Sequence, residues 1–123
     1  MIVAELKDLS STDVSCLQSY RPDGPFGIVV FAMVGPAGGE GAESFQITVC
    51  TSEWFAQNAK TKVASGRHHL FMREYDYDEL KQYLVNYCSA CRGSSWEDVA
   101  EKVARIGYWE FEDYRLKSES PQN

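Results

Sequence analysis

Residues 26–50 read FGIVVFAMVGPAGGEGAESFQITVC, and this stretch decides the fold. Phe26 to Val34 is almost wholly apolar and rich in β-branched residues, the composition of a strand covered on both faces. Phe45, Ile47 and Val49 alternate with Gln46, Thr48 and Cys50, as in a strand with one buried face. Two such strands joined by the glycine-rich loop Gly35–Glu43 predict a hairpin. The loop is no phosphate cradle. It lacks a lysine followed by serine or threonine, and it joins two strands instead of opening a helix. Its reading is a mobile connection able to close over a partner, with Glu40 and Glu43 supplying charge.

Upstream, Ile2 to Leu9 alternates in part and suits a first strand. A polar connection from Ser10 to Gly24 ends in the turn-forming Pro22-Asp23-Gly24-Pro25. Downstream, Thr51 or Ser52 caps a helix expected over 53–65, with Gly66 as its stop. His68 to Arg73 reads as a fourth strand. Asp76 with Glu79 forms a capping box for a second helix, whose stripe is Tyr77, Leu80, Leu84, Tyr87/Cys88 and Cys91. Ser95 with Asp98 starts a third helix, carrying Trp96, Val99, Val103 and Ile106 before Gly107. The closing YWEFEDY, residues 108–114, suits a short fifth strand, with Trp109 and Phe111 inward and Glu110 and Glu112 outward. The expected fold class is α+β: a mainly antiparallel sheet of four to five strands with about three helices on one face. Residues 1–116 are expected to form a single domain and 117–123 a frayed tail.

The 123 residues carry a formal charge of −6, which argues against direct nucleic-acid binding, since that relies on a basic face. The charge is uneven. Residues 1–73 hold seven acids and six bases, whereas residues 74–123 hold eleven acids and six bases. An acidic face attracts basic partners and speeds their encounter. The longest apolar run, Gly27 to Val34, is too short to span a membrane, which takes about 20 residues. The start MIVAELKDL has neither a basic opening nor an apolar signal core, so the expected location is the cytoplasm. There the four cysteines stay reduced.

No catalytic set emerges. Cys88-Ser-Ala-Cys91 falls at the negative end of its helix, where a thiolate is disfavoured, and both thiols lie on the apolar stripe. They read as core, the alternative being a thiol- or zinc-dependent protein that takes further ligands from His68, His69, Cys16 or Cys50. His68 and His69 are adjacent in a strand and point to opposite faces. There is no nucleophile elbow, zinc-protease helix or P-loop, and no cleft pattern supports a glycosidase pair. No cofactor is implied. Two acidic–aromatic segments remain: Glu74 to Glu79 is explained in part by helix capping, Asp78 suiting the positive end, and for Tyr108 to Tyr114 docking surface and plain structural strand both stand open. The candidate partner-binding residues are Glu40, Glu43, Glu74, Tyr75, Asp78, Glu110, Glu112, Asp113 and Tyr114.

MIVAELKDL, SFQITVCTSEWF, GRHHLFMREYDYDEL and SSWEDVAEKVARIGYWEFEDYR, in this order, resemble immunity family 8 of bacterial polymorphic toxin systems, over residues 1 to about 115. The resemblance implies a small non-enzymatic α+β protein of the cytoplasm, of the kind associated with contact-dependent growth inhibition. Such a protein is encoded beside a toxin and blocks it by covering its active or substrate-binding surface. Toxin domains in these systems are often nucleases, whose basic grooves suit an acidic inhibitor. The rival reading is an acidic adaptor with another partner.

Overall fold

A computed structural model describes residues 1–112. β1 (Ile2–Ser10), β2 (Gly27–Pro36) and β3 (Glu43–Cys50) form an antiparallel meander, with the hairpin paired from Gly27↔Cys50 to Val34↔Glu43. The tip is tight enough to require glycine. A Cβ on Gly35 would stand 2.0 Å from the Gly41 carbonyl oxygen, and Gly41 itself has φ +89°. In β1 the register slips between Leu6 and Asp8. That bulge turns both Leu6 and Leu9 toward the core, which is why the alternation of this strand is only partial in the sequence.

The remaining elements are α1 (Ser52–Asn58), β4 (His69–Phe71), α2 (Tyr77–Ser89), β5 (Arg92–Gly93), α3 (Trp96–Val103) and β6 (Tyr108–Trp109). The sheet order is β4-β3-β2-β1-β5, and β6 also pairs with β3. β4 and β6 therefore share one edge of β3 end to end. β6 lies antiparallel against Phe45 and Gln46, β4 parallel against Thr48 to Cys50. The sheet is thus mixed, not purely antiparallel, and β5 and β6 are two-residue strands. The parallel pair follows from the 51–68 connection, which is long enough to cross back over the sheet.

Ile28, Val30, Ala32 and Val34 of β2 with Phe45, Ile47 and Val49 of β3 make the core face. α2 and α3 close it with Leu80, Leu84, Cys88, Val99, Ala100 and Val103. Both helices have the N-cap the sequence predicts, Asp76 accepting from the Glu79 amide and Ser95 from the Asp98 amide, while the Glu79 side chain does not return the bond that would complete the capping box. The other face of β2 departs from the expectation. Val29, Phe31 and Met33 are only half-buried, so the apolar run reflects one core face and one partly open face.

α1 sits over the start of that open face instead of joining α2 and α3. A Cβ on Gly27 would fall 2.2 Å from the Trp54 ring, and Gly27 faces away from buried Ile28. Phe55 meets His69 and Phe71 edge-on on the same side. This helix ends at Asn58, seven residues before the expected end at Ser65, because nothing beyond Phe55 gives it an apolar stripe to bury. Val63 is exposed and no residue of the helix is fully buried. The residues from 11 to 25 are tied to the sheet by side chains where β1 has ended. The Ser11 hydroxyl donates to the Val29 carbonyl at 2.6 Å, and the Val29 amide donates to the Asp13 carboxylate at 2.7 Å.

Candidate functional site

The two acidic–aromatic segments have different fates. In the second, Trp109 is buried against Phe45 with the rings stacked at 6.3 Å. The Glu110 amide donates to the Ser44 carbonyl at 3.1 Å, and its carboxylate accepts from the Ser44 amide at 2.6 Å. One residue thereby closes the edge of β3 past the end of β6. The strand stops at Trp109, so the expected alternation fails at the next pair. Phe111 is 40% exposed, while the Glu112 side chain is 16% exposed and paired to Arg67 at 3.1 Å. Asp113, Tyr114 and the tail 117–123 lie outside the described residues.

Glu43 is also engaged within the fold. Its Oε1 accepts the indole N–H of Trp96 at 2.7 Å and of Trp109 at 2.9 Å. One carboxylate oxygen thus ties the start of β3 to both α3 and β6. Glu40 stays exposed at the hairpin tip. Sequence reasoning could not find the Glu43 tie, because its partners stand 53 and 66 residues away.

The first segment presents its acids to solvent. Tyr75 turns inward: its hydroxyl donates to the Leu17 carbonyl at 2.6 Å, and its ring meets Tyr20 and Phe26 edge-on. Burial pushes the Tyr75 phenol up to about 12. Glu74, Asp78 and Glu79 are exposed and carry no side-chain hydrogen bond or ion pair among the described residues. Three concavities meet along Arg73–Asp78. One, of about 460 Å³, runs between β4 and α2 and is lined by Leu70, Met72, Glu74, Glu79, Leu80 and Tyr83 among others. The second lies against Gln18 and Arg21, the third against Asp23 and Glu53. Phe71 at the lip of the first is 48% exposed and Tyr83 50% exposed. Two half-exposed large rings lining one groove are candidate anchors for a partner.

Of the sequence-derived residues, the structure brings Glu74, Tyr75 and Asp78 together around this ridge. Glu110 lies at the other end of the β3 edge that β4 occupies, Glu112 is paired to Arg67, and Glu40 stands at the hairpin tip. Phe71, Glu79 and Tyr83 were missed as a group. The spacing of four between Glu79 and Tyr83, which puts both on one helix face, was the available signal.

Cys50, Cys88 and Cys91 sit as core side chains, whereas Cys16 is exposed. Cys88 and Cys91 are buried, and burial pushes the Cys88 thiol up to about 12, with Cys91 adding to the shift. Cys91 donates to the Tyr87 carbonyl at 3.3 Å. Among the described residues no group of three histidine, cysteine, aspartate or glutamate side chains stands where it could hold a metal. His68, in the left-handed region at φ 63°, donates to the Ala104 carbonyl at 2.9 Å, and His69 to that of Arg67 at 2.9 Å. Their side chains diverge, but His68 precedes β4 and is not a strand residue, so the divergence does not come from strand alternation. No helix among the described residues is long and apolar enough to cross a membrane.

No curated protein and no solved structure matches the chain significantly. The model of one family, Immunity protein 8, matches residues 4–114, nearly all of the 123. That match spans the meander, both core helices and the acidic ridge. The chain belongs to the Immunity protein 8 family, immunity proteins of toxin systems.

Proposed function

We propose that this protein binds the toxin domain encoded beside it and neutralises it in the cytoplasm of the producing cell, by covering the toxin's active or substrate-binding surface. The observation that carries this reading, beyond the family, is the Arg73–Glu79 ridge. It holds uncommitted carboxylates beside half-exposed rings on a protein of net charge −6. Long-range attraction to a basic surface raises the encounter rate, and aromatic anchors slow dissociation once contact is made. A nuclease fits as target, because a groove built for phosphates is basic and complementary to this ridge. The protein acts by occupation and transforms nothing itself. Burial of Cys88, which raises its thiol, makes that side chain poorly suited to nucleophilic or metal chemistry.

The test is co-purification of this chain with the neighbouring gene product, followed by assay of that product's activity with and without it. Stable capture with loss of toxin activity is expected. A fully active toxin that never associates with the chain would refute the proposal.

A further inference from the structure

We infer that the groove between β4 and α2 receives an arginine side chain of the toxin, stacked on Tyr83 and forked to the Glu79 carboxylate. This rests on the neutralisation reading above and names the contact that carries it.

The groove has the chemistry for one such group. Leu70, Met72 and Leu80 supply apolar lining, and Leu80 is fully buried. Glu79 and Tyr83 are one turn apart on the same face of α2, with Cβ atoms about 5–6 Å apart by helix geometry. A planar cation lying on the ring is therefore within reach of the carboxylate. Guanidinium suits this pairing better than ammonium, because it stacks on a ring and forks to two oxygens at once. The anchor is braced: Tyr83 packs against Tyr87 with centroids at 6.4 Å. At the lip, Phe71 is held edge-on by Phe55 at 5.4 Å. These ring contacts lower the ordering cost that binding has to meet.

The electrostatic balance favours a cation. Glu74, Asp76 and Glu79 line the groove, against Arg73 and the positive end of α2, which is equivalent to about half a charge. The sum stays negative by about one and a half charges. The volume of about 460 Å³ falls within the roughly 300–1,000 Å³ of pockets that enclose small organic groups. The acids of the other segment offer no such arrangement, since Glu110 and Glu112 already bind Ser44 and Arg67.

The test uses the whole chain and a catalytically silenced form of the neighbouring toxin domain, with affinity measured calorimetrically. Tyr83→Ala and Glu79→Lys are each expected to weaken binding by roughly 10- to 100-fold, in the range of buried interface anchors. Tyr83→Phe keeps the ring and should bind within a few-fold of the parent. Glu40→Lys, an equal change of charge at the hairpin tip, should have a small effect. On the toxin, one arginine changed to glutamate should restore affinity for Glu79→Lys. All these positions are exposed, and unchanged thermal unfolding confirms that each variant folds. A parent that binds while Tyr83→Ala and Glu79→Lys keep full affinity overturns the groove assignment alone. So does failure of every toxin arginine to rescue Glu79→Lys. A parent that binds no toxin overturns the neutralisation reading and the groove with it.

Discussion

Replacing Glu43 with alanine should be among the most damaging single changes at a partly exposed position of this protein. The carboxylate accepts two indole N–H groups, from Trp96 at 2.7 Å and Trp109 at 2.9 Å. Hydrogen bonds to a charged acceptor contribute about 1.5–3 kcal/mol each. The two losses are unequal. Trp109 is 5% exposed and its N–H would be left without a partner, whereas half-buried Trp96 can regain water. Discounting the second bond for that exposure, we expect a loss of about 2–3 kcal/mol out of a total of about 5–15. For a chain of this size that corresponds to a fall in Tm of roughly 8–12 °C. Urea and thermal unfolding followed by tryptophan fluorescence read the loss directly, two of the reporters being the indoles concerned. Glu43→Gln keeps an oxygen that accepts from both indoles and loses only the charge, so it should cost about 1 kcal/mol. If Glu43→Ala stays within about 0.5 kcal/mol of the parent, the bonds do not hold β3 to α3 and β6, and the structural assignment of Glu43 is wrong.

Three further outcomes follow from the structure. Cys16 is exposed, with its thiol lowered by hydrogen bonding around Ser19, whereas Cys50, Cys88 and Cys91 are buried; a thiol reagent should titrate one group in the native protein and four in denaturant. Burial raises the Tyr75 phenol from 10 to about 12 and the Cys88 thiol from 9 to about 12, so the unfolded chain ionises first. Stability should accordingly be full below about pH 9 and fall as pH rises toward 12, and Tyr75→Phe should lessen the fall above pH 10 while costing about 1 kcal/mol at neutral pH for the lost bond to Leu17. Gly27→Ala should push Trp54 from its seat, at about 1–3 kcal/mol by urea unfolding and with a red shift in fluorescence.

Much of this fold can be read locally. The hairpin, the caps of α2 and α3 and their apolar stripes are written at spacings of two, three and four, and the structure keeps them. What fails is non-local. β4 lies parallel to β3 because the chain crosses the open face between them, and no pattern in HHLFMR encodes direction. The run Phe26–Val34 looks covered on both sides, yet Val29, Phe31 and Met33 are apolar residues on a half-open face, and burial on one side suffices for the strand. α1 ends at Asn58 because no apolar stripe continues past Phe55, although Gly66 offers a stop by residue type. The ridge was visible as Glu74, Tyr75 and Asp78, but composition alone could not separate free acids from engaged ones. Glu43, Glu110 and Glu112 are the same residue type as Glu74, and only their neighbours across the sheet distinguish them.

Titration of the neighbouring toxin domain's activity with the purified parent and with Tyr83→Ala tests the whole account in one assay. The account predicts that the parent abolishes activity near equimolar ratio, and that the variant, equally folded, needs far higher concentrations. Undiminished toxin activity in excess parent, or equal inhibition by both proteins, would contradict it.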